Sequence, residues 1–522
     1  MRGGGAEIPV LSFPAKVVGF SRGKKGSSNS DLQPFLSLFV KAKAPCEKRL
    51  ARSWDSKPLN YSPDDAMYLF RPVQYFNMER NVIKKIKSVR TTKKIKRIIE
   101  KDRQLISSSY TRGYPLVIDK GLGANIWDIE GNKYIDFTSG IAVANVGHCN
   151  PDVAEAVRKQ TQKILHNAST DFYNEIEIEL AEKLADVTPG NFPKRIFFTN
   201  SGTETVECAF KLARWYKKRP RIISFLGAFH GRTFGSMTLS ASKLVHRDHF
   251  SPLVPGVTHA PYPYCYRCPV GEEGYPQCKY ECLKYLEEQI LTRVVPPDEV
   301  AGIIVEPVQG ENGYIVPPRD FHKKLKKMCK KHGFLYIADE IQTGFCRSGK
   351  WFASDVFGVQ PDIICLAKAI AGGLPMGACV SRRKIMTWPK GSHANTFGGN
   401  PVACSASLAA IEFMRKNKLW KNAEKLGRFG LKYLRDLQNE VKLIGDIRGL
   451  GLMIGIELVR YKKTKEPAHR ETVDALNRAF KKGLLLLSAG TSTVRLAPPL
   501  VITKEEFEQG LNILADVLKK VK

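Results

Sequence analysis

Acidic residues, cysteine and long apolar runs are all scarce in this chain. Its 522 residues hold 51 Asp and Glu against 82 Lys and Arg, a formal charge of +31. Such an excess favours anionic substrates and attracts nucleic acid without reading its sequence. Residues 1–105 carry 23 Lys and Arg against 9 Asp and Glu, so the excess is partly local and partly diffuse. No run of about 18 apolar residues occurs, which argues against a membrane-spanning helix. Twelve cysteines are too sparse for a disulfide scaffold. Residues 1–25 lack a continuous apolar core and contain Pro9 and Pro14, so no secretory leader is expected. The basic, Ser-containing, acid-poor start leaves an organelle transit peptide as the alternative, with few arginines and no amphipathic period to support it. The expected compartment is the cytoplasm. What is present is a 43% share of hydrophobic residues at a mean hydropathy of −0.25, the profile of a globular protein. The length exceeds one ordinary core, so more than one structural unit is expected.

Residues 1–77 have no clear period, several prolines and a Gly/Ser/Lys-rich patch from Ser21 to Ser30. They read as a poorly ordered extension; a translation start at Met67 or Met78 would leave much of it out. From Asn81 to Leu105 the pattern is helical and very basic (Ile83, Ile86, Ile95, Ile98, Ile99). That suits a solvated or partner-facing helix, with nucleic-acid binding the alternative. Order is expected from near Tyr114. NIWDIEGNKYIDFTSGIAV alternates on both sides of Glu130-Gly131-Asn132, a hairpin signal. Helical spacing follows from Pro151 to Val187. RIFFTNSGTETVECAFKLARWY then reads as strand, small-residue turn and amphipathic helix. Residues 401–440 form a long helical stretch, and short strands and helices follow it: Gly451 to Arg460, Thr493 to Leu496, Lys504 to Lys520. Strands alternating with helices predict an α/β fold with a mostly parallel sheet, its ligand crevice beyond the strand carboxyl ends.

Two such strand ends stand out. The apolar runs Phe334 to Ala338 and Ile363 to Leu366 end in Asp339-Glu340 and near Lys368, with glycines close behind. An ammonium in an apolar setting must recover lost hydration elsewhere. A buried amine of lowered pKa is a nucleophile toward carbonyls, and a carboxylate holds a protonated ring nitrogen. That pair is the minimum equipment of a pyridoxal phosphate site; the bland alternative is a strand-end salt bridge. The turn Thr199-Asn200-Ser201-Gly202-Thr203-Glu204 joins a strand to a helix and suits the cofactor phosphate, or serves as an ordinary cap. Phe229 and His230 open FHGRT, where an aromatic can stack on a pyridine ring or pack in a core. Arg232 is a candidate clamp for a substrate carboxylate. Glu306 and Glu311 bracket Pro-Val-Gln-Gly, and Arg495 lies among apolar neighbours in VRLAPPL.

With NSGTE, FHGRT, EPVQGE, DEIQTGFCRSG, CLAKAIAGGLPMGA, NTFGGNP and VRLAPPL in this order, the sequence resembles the class III pyridoxal-phosphate aminotransferases. This is the group of 4-aminobutyrate, ornithine and acetylornithine aminotransferases, and the likeness covers roughly Arg112 to Val521. The resemblance implies fold type I: a large cofactor domain, a smaller α+β domain built from both chain ends, and a homodimer or higher oligomer. The implied division is an extension over 1–104, small-domain segments over 105–155 and 401–522, and the large domain over 156–400. Lys368 is then the Schiff-base lysine, Asp339 the partner of the pyridinium, Gln342 a contact of the ring hydroxyl and Phe229 the stacking ring. Ser201, Gly202, Thr203 and His230 join the cofactor set, with Thr396 of the partner subunit completing the phosphate cradle. Arg232 takes the distal carboxylate of the substrate. Arg495 takes the α-carboxylate of glutamate, masked by Glu311 when an ω-amino acid binds. Ile141 stands where ornithine aminotransferases tend to carry a tyrosine, which tilts the implied donor toward 4-aminobutyrate or a similar ω-amino acid. The implied reaction uses 2-oxoglutarate and gives a semialdehyde and glutamate. Ornithine or acetylornithine transamination and amino-acid racemisation are alternatives on the same fold.

One segment departs from the family pattern. Cys265-x2-Cys268-x9-Cys278-x3-Cys282 lies in an insertion-like stretch. Four thiolates at that spacing suit zinc or an iron–sulfur cluster, with free thiols or a disulfide as the plain alternatives.

Overall fold

The runs VAGIIV (300–305) and IICL (363–366) are apolar throughout, the mark of parallel strands covered on both faces. In the computed structural model, which describes residues 92–271 and 274–521, every residue of both runs is buried. The expected extension over 1–77, and residues 81–91 of the expected basic helix, lie outside the described residues. The rest of that helix is Lys93–Leu105, capped by the Thr92 hydroxyl.

The strands in chain order begin with β1 (Ile118–Leu122), β2 (Asn125–Asp128), β3 (Lys133–Asp136), β4 (Lys194–Thr199) and β5 (Arg221–Phe225). There follow β6 (Val257–Ala260), β7 (Val300–Val305), β8 (Leu335–Asp339), β9 (Ile363–Leu366) and β10 (Gly377–Arg382). The last are β11 (Ile444–Leu450), β12 (Met453–Leu458), β13 (Leu484–Leu485), β14 (Leu487–Ala489) and β15 (Thr493–Leu496). Seven make the main sheet in the order β4-β10-β9-β8-β7-β5-β6. The pairs from β9 to β6 are parallel, and β10 runs antiparallel to both its neighbours. The carboxyl ends of β4, β5, β7, β8 and β9 therefore share one edge.

The hairpin at Gly131 forms as β2 and β3, with Asp128 Oδ1 accepting the N–H groups of Glu130 and Asn132. β3 also pairs with β13, so segments from both ends of the described chain share a sheet. The helical pattern over Pro151–Val187 resolves into two helices, Pro151–Thr161 and Glu175–Val187. The stretch after Pro401 is likewise broken, at Lys418 in the left-handed region (φ 48°), between Pro401–Lys416 and Leu419–Glu440. Among the described residues no helix is long and apolar enough to cross a membrane.

Two features knit the site's surroundings. Ser139, Gly140, Ile141 and Ala142 all have positive φ (42°, 62°, 68°, 60°), a single left-handed turn that is costly for residues bearing a Cβ. Arg347, fully buried, holds it: the guanidinium donates to Ser139 Oγ (3.3 Å), Asn145 Oδ1 (2.6 Å), Leu452 O (2.9 Å) and Pro498 O (2.6 Å).

The four cysteines expected to bind metal line one small cavity, beside Tyr264 and Tyr280. They are free thiols, and among the described residues no three His, Cys, Asp or Glu side chains are grouped to hold a metal ion. Burial pushes the Cys265 thiol up and Cys282 to about 12. Among the described residues, the expected zinc or iron–sulfur centre finds no metal-holding geometry.

Candidate active site

Neighbouring residues of a strand face opposite ways, and the end of β8 uses this to separate two carboxylates. Glu340 is fully buried and spent on structure, accepting from the Thr343 hydroxyl, from Ala353 N–H (3.1 Å) and from both the N–H and hydroxyl of Ser354 (2.6 Å each). Asp339 instead meets His230, whose Nδ1 donates to Oδ2 at 2.7 Å, while Oδ1 accepts from Ile341 N–H at 3.1 Å. His230, after β5, and Asp339, the last residue of β8, come from different strand ends, and both are buried.

Glu306, at the end of β7, is the third acid here. Its oxygens accept the N–H groups of Phe229 (2.9 Å) and Gly310 (2.8 Å), which fixes the FHGRT loop against the EPVQGE loop. Burial pushes it up to about 7, with His230 opposing and Asp339 adding to the rise.

Lys368 follows β9 in the left-handed region, φ 46°. Burial pushes its amine below the ordinary lysine range, against the pull of the Asp339 and Glu306 carboxylates. Arg495 pushes the same way as burial, and Glu311 opposes it. One amine thus feels two groups of side chains, the Asp339 set and the Glu311 set.

The Glu311 set is an acid between two cations. Oε1 accepts from Lys243 Nζ at 2.7 Å and Oε2 from Arg495 Nη1 at 3.3 Å. Burial raises the Glu311 pKa, but Arg495 and Lys243 outweigh it and hold the carboxyl below its usual range. His246, in the same turn as Lys243, is pushed down to about 4 by burial and then by Arg232. Its ring meets that of Phe229 edge-on at 5.2 Å, and the Arg232 guanidinium lies 5.4 Å from the Phe229 centroid.

At the helix Gly202–Lys217, the Ser201 hydroxyl caps Glu204 N–H. The Thr203 hydroxyl accepts from the N–H groups of Arg232 and Thr233 (3.2 Å each) and lies 2.5 Å from Ser236 Oγ. Gly231 permits that approach: at φ 141°, a Cβ there would come within 2.3 Å of Thr203 Oγ1. Glu207, which nothing in the sequence pattern marks, locks the same loop through Thr233 Oγ1 (2.5 Å) and Ser236 N–H (3.0 Å).

The structure therefore joins Asp339 with His230, Glu311 with Arg495, Phe229 with Arg232, and Thr203 with the FHGRT loop. Thr396 and Ile141 are both exposed. The loop bearing Thr396 is anchored by Asn395, which donates to Phe198 O at 2.9 Å. Lys243 and Arg347 escape sequence reasoning; Lys243 lies 68 residues before its partner.

The residues present fit pyridoxal phosphate. Two buried polar atoms, His230 Nε2 and Gln342 Oε1, have no partner among the described residues, a cost that a polar ring bound here relieves. A helix N-terminus offers N–H groups to a phosphate, and a buried amine and a buried carboxylate stand at adjacent strands. The arrangement suits chemistry in which an amine adds to a carbonyl and a proton moves at carbon.

Comparisons agree. The family model described as aminotransferase class-III matches residues 106–518. A leucine/methionine racemase of Thermococcus litoralis is 42% identical over 408 residues, 78% of this chain and 91% of that protein. A probable 4-aminobutyrate aminotransferase of Bacillus subtilis is 37% identical, with 80% of this chain and 95% of that protein covered. Among solved structures, an aminotransferase of Bacillus anthracis superposes with a TM-score of 0.77 at 34% identity, covering 82% of this chain and 99% of that one.

Proposed function

The chain belongs to the class-III aminotransferases, pyridoxal-phosphate enzymes of fold type I, and from that premise we propose that it moves the amino group of an ω-amino acid of the 4-aminobutyrate type to 2-oxoglutarate. The carrying observation is the bond between Glu311 and Arg495. One pocket must receive glutamate, with two carboxylates, and then an amine whose carbon bears none. A buried arginine left unpaired in the second case would cost several kcal/mol. Glu311 supplies the missing anion from within the chain.

The roles are those that membership of the family implies, with the geometry in support. Lys368 holds the cofactor and, as an amine whose pKa burial lowers, takes the proton from the amine-bearing carbon of the substrate. Asp339 holds the ring nitrogen, and His230 aims that carboxylate through its 2.7 Å hydrogen bond. Gln342 meets the ring hydroxyl and Phe229 covers a ring face, while Ser201, Gly202 and Thr203 form the phosphate end. Pyridoxal phosphate, when bound, supplies the electron sink for charge developing on that carbon. Arg232 binds the distal carboxylate; Arg495 binds the α-carboxylate once Glu311 lets go.

A second copy of the chain completes the site. Phe172, Tyr173, Phe234, Leu244 and Phe397 are large apolar side chains left exposed, which supports a homodimer with Thr396 of the partner subunit at the phosphate.

The racemase relative favours a second reading, in which a proton is returned to the opposite face of the same carbon. Product formation from 4-aminobutyrate that requires 2-oxoglutarate and yields equimolar glutamate supports transamination. Loss of optical activity from an L-amino acid with no oxo acid present supports racemisation instead.

A further inference from the structure

Glu311 is shared, and the shorter of its two contacts does not go to the arginine. Lys243 Nζ stands 2.7 Å from Oε1, whereas Arg495 Nη1 stands 3.3 Å from Oε2. Lys243 precedes the short turn Leu244–His246 and its side chain is 36% exposed, against 9% for Arg495 and 22% for Glu311. His246 in that turn is pushed down to about 4 by burial and bonded to Ser242 Oγ at 3.0 Å, and among the groups that lower Glu311 it ranks after Arg495 and Lys243.

We propose that Lys243 is a positioning residue that makes Arg495 available to a substrate carboxylate by keeping the displaced Glu311 paired. The inference rests on the reading that Arg495 binds the α-carboxylate. For that binding, Glu311 must release the guanidinium. A released carboxylate with no cation, partly buried beside an arriving one, suffers both desolvation and like-charge repulsion. With Lys243 in place, Oε1 keeps its partner while Oε2 gives up the arginine, so opening breaks one weak contact rather than stranding a charge. Lys243 thereby sets the balance between substrates that carry an α-carboxylate and those that do not.

The test uses the full chain loaded with pyridoxal phosphate. Calorimetry gives the affinities for glutarate, an unreactive dicarboxylate, and for pentanoate, which has a single carboxylate. Lys243→Met is expected to weaken glutarate about tenfold while leaving pentanoate unchanged, and to raise KM for 2-oxoglutarate more than it changes kcat. Lys243→Arg, which keeps the cation, restores most of the affinity. In a Glu311→Gln background there is no carboxylate to hold, and Lys243→Met is expected to do nothing further. Equal weakening in both backgrounds would mean that Lys243 touches the ligand itself, and would overturn the proposal; so would no weakening in either. Arg495→Met separates the two levels. If it leaves glutarate binding intact, the reading of Arg495 fails; if it weakens glutarate while Lys243→Met does not, only the role of Lys243 fails.

Discussion

His230 Nδ1 and Asp339 Oδ2 lie 2.7 Å apart, both side chains closed off from solvent, on residues that arrive from different strands of the main sheet. A hydrogen bond to a charged group in such surroundings contributes about 1.5–3 kcal/mol. His230→Phe is therefore expected to weaken pyridoxal phosphate binding roughly 10- to 100-fold, read by absorbance titration of the cofactor-free protein. Unchanged affinity would show that Asp339 needs no such partner.

Arg495 and Glu311 should separate two classes of substrate. Arg495→Met is expected to raise KM for 2-oxoglutarate about 100-fold, the loss of a charge-assisted pair. Glu311→Gln leaves the guanidinium without its internal anion, so KM is expected to rise for 4-aminobutyrate and hold or fall for glutamate. Steady-state kinetics with each amino donor and acceptor check both.

Among the described residues Arg347 has no carboxylate as a hydrogen-bond partner; two carbonyls, an amide and a hydroxyl surround it instead. Burial lowers its pKa to about 10. Arg347→Met removes the donor from four buried polar groups, and unfolding free energy is expected to fall by about 3–5 kcal/mol in denaturant melts. A loss under about 1 kcal/mol would contradict its place as a hub.

Acid should destabilise the fold through three histidines. His246, His259 and His322 are each pushed down to about 4, first by burial. A histidine of ordinary pKa 6.5 in the unfolded chain binds its proton between about pH 6.5 and 4, where the folded one does not. The unfolded state therefore holds more protons, and stability rises with pH across that window. His322 is tied as a neutral ring, Nε2 donating to Pro307 O (2.9 Å) and Tyr336 OH donating to Nδ1 (2.8 Å). Thermal melts from pH 7 to 4.5 should show Tm falling, and His322→Gln should flatten the slope. A slope identical to that of the parent would contradict the assignment.

How much of this was readable beforehand depended on distance along the chain. The two strand ends carrying Asp339 and Lys368 were legible because apolar runs stop at a charge, and those runs are β8 and β9. The hairpin was legible because Gly131 needs only its own neighbours. The breaks at 162–174 and at Lys418 were not, since apolar spacing continues across them. The left-handed turn at Ser139–Ala142 was hidden too, because it is imposed from outside by Arg347 and by Ala497 O, which accepts from Ser139 Oγ at 2.6 Å. Lys243 belongs to no local pattern; only folding brings it to Glu311. The four-cysteine spacing pointed to a metal, and the fold does bring the four thiols to one small cavity, yet among the described residues no three ligand side chains are grouped to hold an ion, a matter of side-chain placement that spacing does not set.

Lys368 carries the chemistry proposed here, and one experiment reaches it most directly. The protein is incubated with pyridoxal phosphate, reduced with borohydride, digested and mapped by mass. The expected result is one cofactor mass per chain on the peptide bearing Lys368, lost in Lys368→Ala while that variant melts as the parent does. A reduced cofactor found on another lysine, or on none, would contradict it.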